Sequence, residues 1–218
     1  MRTHPVFLCL EGRSCVAVGG DRPIEDKVEA CHRAGAQVTV VSPELTPALR
    51  ALADAGGIRW QARAYATGDL EGALLAYAST RDPETIARLR EEAARTRVLL
   101  NVIDVPDACS FLSPAVVRRG DLQVAIGTGG ASPSLAASLR REIERTVGPE
   151  YAPLVAILGA VRRVRRDDPA RTAVLESLLD SPLLELLRRG DRTGVDHLLA
   201  RIAGEGCTLD RLGVESLA

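Results

Sequence analysis

The stretch Val16-Ala17-Val18-Gly19-Gly20-Asp21-Arg22-Pro23-Ile24 decides the fold. Small apolar and β-branched residues predict a buried strand, two glycines end it, and an acidic residue with a following proline opens a helix. A strand that enters a glycine turn, with a helix N-terminus facing outward, is the first unit of a dinucleotide-binding domain. The match is partial. In G-x-G-x-x-G register Gly19 is the first glycine, Asp21 stands at the second and Ile24 at the third. The second glycine lets a pyrophosphate approach the backbone. A carboxylate fills that space and adds like charge, a repulsion of a few kcal/mol at ~4 Å and surface-like dielectric. Asp21 is also a good helix N-cap, whose oxygens take the N–H groups a phosphate would use. Arg22 can offset part of this by pairing with a phosphate. A turn and cap without nucleotide stays open as the alternative.

Outward from this stretch the pattern repeats. Strands are predicted at 13–18, 37–42, 58–63, 74–79 and 98–103, with helices at 23–34, 47–55 and 83–95 between them. Strands alternating with helices of this length mean βαβ units and a parallel sheet. After Asp104 the character changes. A loop over 105–113 leads to two short strands, 115–118 and 122–127, joined across Arg119-Gly120-Asp121, and then to a helix over 134–147 with Ser132 as N-cap and Pro133 as first helical residue. From Gly148 only helices are predicted, at 151–166, 170–179, 182–189 and 195–203.

Composition excludes several classes of function. The 218 residues are 46% hydrophobic and 26% charged, as in globular proteins, with a formal net charge of −1. Nucleic-acid binding needs excess positive charge, so none is expected. No run of eighteen apolar residues predicts a membrane span. The apolar start is short and interrupted by Glu11, so a cytoplasmic protein is expected. Cys9, Cys15, Cys31, Cys109 and Cys207 have no C-x-x-C spacing and read as reduced, mostly buried thiols. With His4, His32 and His197 they offer no usable zinc spacing, and no metal site is expected.

Two further constellations carry chemistry. Asn101-Val102-Ile103-Asp104 ends a central strand, the edge where open α/β sheets bind ligands, and a carboxylate there can act as a base or merely cap the next turn. Gly127-Thr128-Gly129-Gly130-Ala131-Ser132-Pro133 exposes backbone N–H groups ahead of a helix, with Arg118, Arg119, Arg140 and Arg141 flanking it. That suits an anionic ligand, or only a tight connection with solvated arginines.

Together with Pro5-Val6-Phe7, Lys27, Gly35-Ala36, Val40-Val41-Ser42-Pro43, Phe111 and Pro114-Ala115, these segments resemble the precorrin-2 dehydrogenase/sirohydrochlorin ferrochelatase family, strongly over about 4–150 and loosely beyond. The resemblance implies a Rossmann NAD-binding domain (1–112), a small α+β dimerisation segment (113–148) and a helical C-terminal domain (149–218), assembled as a homodimer. It implies oxidation of precorrin-2 to sirohydrochlorin by NAD⁺, with Fe²⁺ as a further substrate in members that make siroheme. Its catalytic aspartate falls on Asp104. Its cofactor contacts fall on Gly19, Gly20, Asp21, Arg22 and Pro23, on Ser42, Pro43 and Glu44, on Thr80, and on Asn101 and Val102. Thr128, Gly129, Gly130, Ser132, Arg118 and Arg140 are expected to bind the tetrapyrrole. A polyanion with eight carboxylates needs arginines and a helix N-terminus of this kind.

The departures lie on the dinucleotide side. The family has a third glycine where Asp21 stands, Val-Ala where Pro23-Ile24 stand, A-T-D-D near Ser79-Thr80-Arg81-Asp82, and an asparagine at Ile86. The alternative expectation is therefore a chelatase or tetrapyrrole-binding relative that has lost NAD. A nucleotide-sensing domain without catalysis is a third, which would need neither Asp104 nor the 127–133 loop.

Overall fold

Alternate residues of the first strand go to opposite faces. In β1 (Ser14–Val18) Cys15 and Ala17 belong to one apolar cluster and Val16 and Val18 to another, all of them buried. A strand buried on both faces needs a helix on each side, the arrangement of a parallel sheet. The computed structural model describes residues 2–216 and supplies this cover. Following β1 come α1 (Arg22–Arg33), β2 (Gln37–Val41), α2 (Pro47–Asp54), β3 (Arg59–Gln61), β4 (Leu75–Ala78), α3 (Pro83–Thr96) and β5 (Leu99–Val102). The sheet order is β3-β2-β1-β4-β5, every pair parallel. Ile24 and Val28 of α1 and Leu49 of α2 cover the face of Cys15 and Ala17, and Leu89 and Ala93 of α3 cover that of Val16 and Val18. Ile24, Val28 and Leu49 are at most 1% exposed, and burial of each contributes about 1.5–3 kcal/mol.

The chain divides into two compact units between Ser113 and Pro114. In the second, β6 (Ala115–Arg119) and β7 (Leu122–Ile126) form an antiparallel hairpin turned by Gly120, whose φ is +57°. Helix α4 (Pro133–Thr146) packs on the hairpin, and Val117 and Ala136 are buried. Among the described residues five more helices follow: α5 (Tyr151–Val164), α6 (Arg171–Leu179), α7 (Leu183–Arg188), α8 (Arg192–Ala203) and α9 (Leu209–Leu212). They enclose a core that includes Ile157, Val161, Leu178, Leu183, Leu199 and Leu209. The segments 113–148 and 149–218 thus lie almost wholly within one contact unit, and Gly120 of the hairpin approaches Ala152 of α5 so closely that a Cβ would sit 3.3 Å from its methyl.

Where element ends differ from expectation, local hydrogen bonds explain the shift. The strand expected at 58–63 is only Arg59–Gln61, because it is an edge strand and Arg63 N–H turns back to the Gln61 carbonyl. The last long helix starts at Arg192 rather than Val195, since the Asp191 carboxylate accepts the Gly194 N–H at 2.9 Å. The turn of helix at Leu209–Leu212 was not expected. Thr208 caps it, and the Asp196 carboxylate of α8 accepts the Leu209 N–H at 2.7 Å, a contact between residues thirteen apart.

One buried charged group holds the long connection between β3 and β4. Glu92 of α3 is 1% exposed and its carboxylate accepts the Tyr65 hydroxyl, the Gly68 N–H at 2.9 Å and the Leu70 N–H at 3.0 Å. Burial and the Glu92 contact push the Tyr65 phenol well above its ordinary pKa. Glu92→Leu would strand a hydroxyl and two N–H groups, and we expect a stability loss of roughly 2–5 kcal/mol by urea denaturation. Tyr65→Phe, which leaves the two N–H bonds in place, should cost about 1 kcal/mol.

Candidate functional site

The sheet order reverses between β1 and β4, so the chain leaves their carboxyl ends in opposite directions and a crevice opens there. At the end of β1, the Gly19 N–H bonds the Val41 carbonyl at 3.0 Å, and the Ser79 N–H beyond β4 bonds the Val18 carbonyl at 2.8 Å. Gly19 has φ +112°, which turns the chain out of the sheet into α1. Gly20 is required for a different reason. Its carbonyl accepts the Thr46 N–H at 2.9 Å, and a Cβ on it would lie 1.9 Å from the Glu44 carbonyl oxygen. The β1–α1 turn and the loop after β2 are in backbone contact here.

This contact floors a cleft of about 460 Å³. Its walls are Gly19, Gly20 and Asp21 from the first turn, Ser42, Pro43 and Glu44 after β2, Ala64 and Tyr65 after β3, and Ser79, Thr80 and Thr85 after β4. The volume is in the range of small-molecule sites. Of the expected cofactor contacts, the structure brings together Gly19, Gly20, Asp21, Ser42, Pro43, Glu44 and Thr80. Arg22 and Pro23 are exposed first-turn residues of α1 outside the lining. Asn101 and Val102 are also outside it: both are buried in β5, and the Asn101 side chain donates to the Phe111 carbonyl at 2.9 Å.

Sequence reasoning missed Tyr65, Ser79 and Thr85. Ser79 donates its hydroxyl to Asp21 Oδ2 at 2.5 Å, while Asp21 Oδ1 accepts the Ile24 N–H at 3.3 Å. The second bond is the expected N-cap; the first joins residues 58 positions apart and had no sequence signal. Thr85 donates to Asp82, which caps α3, and this hydroxyl and then the Thr85 N–H hold the Asp82 carboxyl below the ordinary carboxylate range.

The cleft fits a dinucleotide in three respects. It lies at the strand-order reversal, its glycine turn leads into a helix N-terminus, and Glu44 offers a carboxylate just beyond β2 where ribose hydroxyls need an acceptor. Asp21 fits poorly, because its carboxylate stands where a diphosphate would approach the glycine turn.

Asp104 sits farther along the same sheet edge, two residues beyond β5. It is exposed and has φ +62°, a left-handed conformation that costs most residues energy and that Asp and Asn tolerate best. The loop that follows is laced back onto β5: Ser110 N–H bonds the Leu100 carbonyl at 2.8 Å, and the Cys109 thiol contacts the Val102 and Val105 carbonyls. The short 3-10 turn at Pro106–Ala108 has no side-chain cap, so Asp104 does not serve as one.

In the second unit Thr128, Gly129, Gly130 and Ser132 form one turn. Gly129 and Gly130 have φ +62° and +83°. The Thr128 hydroxyl accepts the Ser132 N–H at 3.1 Å, and Ser132 caps α4 by accepting the Leu135 N–H at 3.2 Å. Arg140 is paired with Glu144 at 2.7 Å. Arg118 pairs across the hairpin with Gln123, near its 119–122 turn, whereas the 127–132 loop leaves from the opposite end, beyond the Ala115–Ile126 pair. The three intervening residue steps separate them by roughly 10 Å. Arg118 is thus not gathered with the loop.

Among the described residues no group of three or more His, Cys, Asp and Glu is placed to hold a metal ion. All five cysteines are unbridged; Cys15, Cys31 and Cys207 are buried, Cys109 is half-buried and Cys9 is exposed. Hydrogen bonding with Cys15, and burial, push the Cys31 thiol far above its ordinary pKa, so it stays protonated.

A family model described as "Putative NAD(P)-binding" matches residues 6–115, half of the chain. The chain belongs to this NAD(P)-binding family. A second model, "Sirohaem biosynthesis protein central", matches residues 119–146. Siroheme synthase of Methylobacillus flagellatus is 34% identical over 211 residues, and that of Azotobacter vinelandii 36% over 205. The matches cover 94% and 92% of this chain but 45% and 44% of those proteins, so the chain spans about half the length of the curated relatives it matches. The solved structure of SirC, a precorrin-2 dehydrogenase, superimposes with a TM-score of 0.76 over 92% of this chain and 98% of that one, at 22% identity, which shows a common fold. No helix among the described residues is long and apolar enough to cross a membrane.

The Gly20 contact gives a direct test. Gly20→Ala must push the Glu44 backbone away and so reshape the cleft. We expect a loss of roughly 2–4 kcal/mol by chemical denaturation, and Gly12→Ala, where no atom lies within 4 Å, to cost less despite a φ of +67°.

Proposed function

We propose that the protein oxidises precorrin-2 to sirohydrochlorin with NAD⁺ as acceptor, and that Asp104 takes the proton released. The observation that carries the reading is Asp104 itself: an exposed carboxylate held in a left-handed turn, not used as a cap, on the same sheet edge as the dinucleotide cleft. Strain of this kind persists where the surrounding structure imposes it and is concentrated at functional sites. The siroheme synthase relatives and the central sirohaem-biosynthesis model support the substrate class.

In this reading Glu44 and the hydroxyls of Ser79 and Thr80 hold the dinucleotide, with the glycine turn beneath it. Bound NAD⁺ supplies a hydride acceptor. A ring carbon of the substrate gives up the hydride while Asp104 accepts the accompanying proton, so that two electrons and two hydrogens leave together. By the family resemblance, the 127–132 turn is read as the part of the second unit that takes the substrate's carboxylates. Fe²⁺ is read as a second substrate, with the same carboxylate accepting pyrrole N–H protons as the metal enters. The two hydrogen bonds on Asp21 favour the second reading, a chelatase that no longer uses NAD.

The working form is proposed to be a homodimer. Leu135 and Leu139 on α4 are 52% and 37% exposed, an apolar surface that a second copy would cover; in the hairpin Leu122, Val124 and Ile126 are half-buried on the face of Val117, and Val116 is half-buried on the other face. Unbridged cysteines fit the reducing cytoplasm as its setting.

Two measurements test this. Asp104→Asn keeps the left-handed turn and removes the base, and we expect dehydrogenase turnover to fall by roughly 10²–10⁴ with an unchanged circular dichroism spectrum. A near-normal rate would remove Asp104 from the chemistry. Sedimentation velocity at micromolar concentration should give a dimer, and Leu135→Glu with Leu139→Glu should shift it to monomer.

A further inference from the structure

The cleft carries its own anion. Asp21 is exposed, yet both its oxygens are engaged, one by the Ile24 N–H of α1 and the other by the Ser79 hydroxyl beyond β4. These two donors come from the two sides of the crevice at which the strand order reverses. A dinucleotide's diphosphate bound at that crevice would need them both: the N–H groups at the start of α1 and a hydroxyl from the opposite loop.

We propose that Asp21 and Ser79 form a clasp across the diphosphate position, so that a dinucleotide enters the cleft only by displacing the Asp21 carboxylate. The inference rests on the reading of the cleft as a dinucleotide site. Three observations make the clasp a selective obstacle. The backbone beneath it cannot retreat, because the Gly20 carbonyl is bonded to Thr46 N–H and the Glu44 backbone lies against Gly20. The lining residues include two carboxylates, Asp21 and Glu44, and no lysine or arginine, so nothing in the wall neutralises a diphosphate. The carboxylate can leave: it is exposed, and its rotation breaks two hydrogen bonds without moving the core. Once it has swung out, the Ser79 hydroxyl is free to donate to a phosphate oxygen, and the Ile24 N–H, which also bonds the Asp21 backbone carbonyl at 3.1 Å, can share its proton with the phosphate in place of the carboxylate. Ser79 therefore acts twice, first holding the clasp shut and then binding the ligand that opens it.

Calorimetric titration with NAD⁺ tests this on the intact protein. Asp21→Gly restores a glycine and removes the charge. Asp21→Ser also removes the charge and the reach to Ser79 but keeps a helix cap, so a loss of fold in the first variant does not hide the result. Both should bind NAD⁺ about tenfold to a thousandfold more tightly than the native chain. Ser79→Ala in the Asp21→Gly background should weaken binding severalfold, the signature of a hydroxyl handed to the ligand. Thermal unfolding with and without NAD⁺ gives a second readout, with a larger ligand-induced rise in midpoint for Asp21→Ser than for the native protein. Affinities of both Asp21 variants within twofold of native overturn the clasp and leave the cofactor reading standing. No binding by any of the proteins at millimolar NAD⁺ overturns the cofactor reading and the clasp with it.

Discussion

At the carboxyl end of β1 two backbones meet without a side chain between them. Gly20 lies against the Glu44 carbonyl, and its own carbonyl is bonded to Thr46 N–H. That contact fixes the loop after β2 to the turn before α1, and both then form walls of the same cleft. Parallel β1–β2 pairing in register from Ser14–Gln37 to Val18–Val41 delivers the two ends to the same height. The glycine is what lets them touch.

The opposite wall depends on a different interaction. A connection of thirteen residues between β3 and β4 has little regular structure of its own, and such segments are ordinarily mobile. Here Glu92 draws two backbone N–H groups and the Tyr65 hydroxyl into the protein. A buried carboxylate is tolerated because its partners replace water, and it converts a loop into a wall. The floor of the cleft is thus set by sterics and one side by a buried polar network.

Asp21 and Asp104 show how one residue type serves opposite ends on one sheet edge. Asp21 is consumed by its neighbours, a helix N–H and a serine hydroxyl. Asp104 caps nothing, although its turn is strained. Between them lies the difference between a carboxylate that completes local structure and one exposed to solvent.

The order of strands and helices, the parallel sheet, the glycine turn and the N-caps at Asp21 and Ser132 were legible in the sequence, because each rests on neighbours within a few residues: side-chain period, glycine freedom and short-range capping. Asp104 was legible as an acid at a strand end, though not as a residue in a left-handed turn. What the tertiary structure alone decided were contacts across long separations. The Ser79 hydroxyl on Asp21 and the Glu92 carboxylate under Tyr65 join residues 58 and 27 apart. Asn101, expected at a cofactor, instead spends its amide on the Phe111 carbonyl, and Arg118 lies at the far end of its hairpin from Thr128. Local pattern encodes which elements form and where they stop. It does not encode which polar groups become partners, because that follows from how the elements pack, and a buried polar group takes whichever partner packing brings within reach.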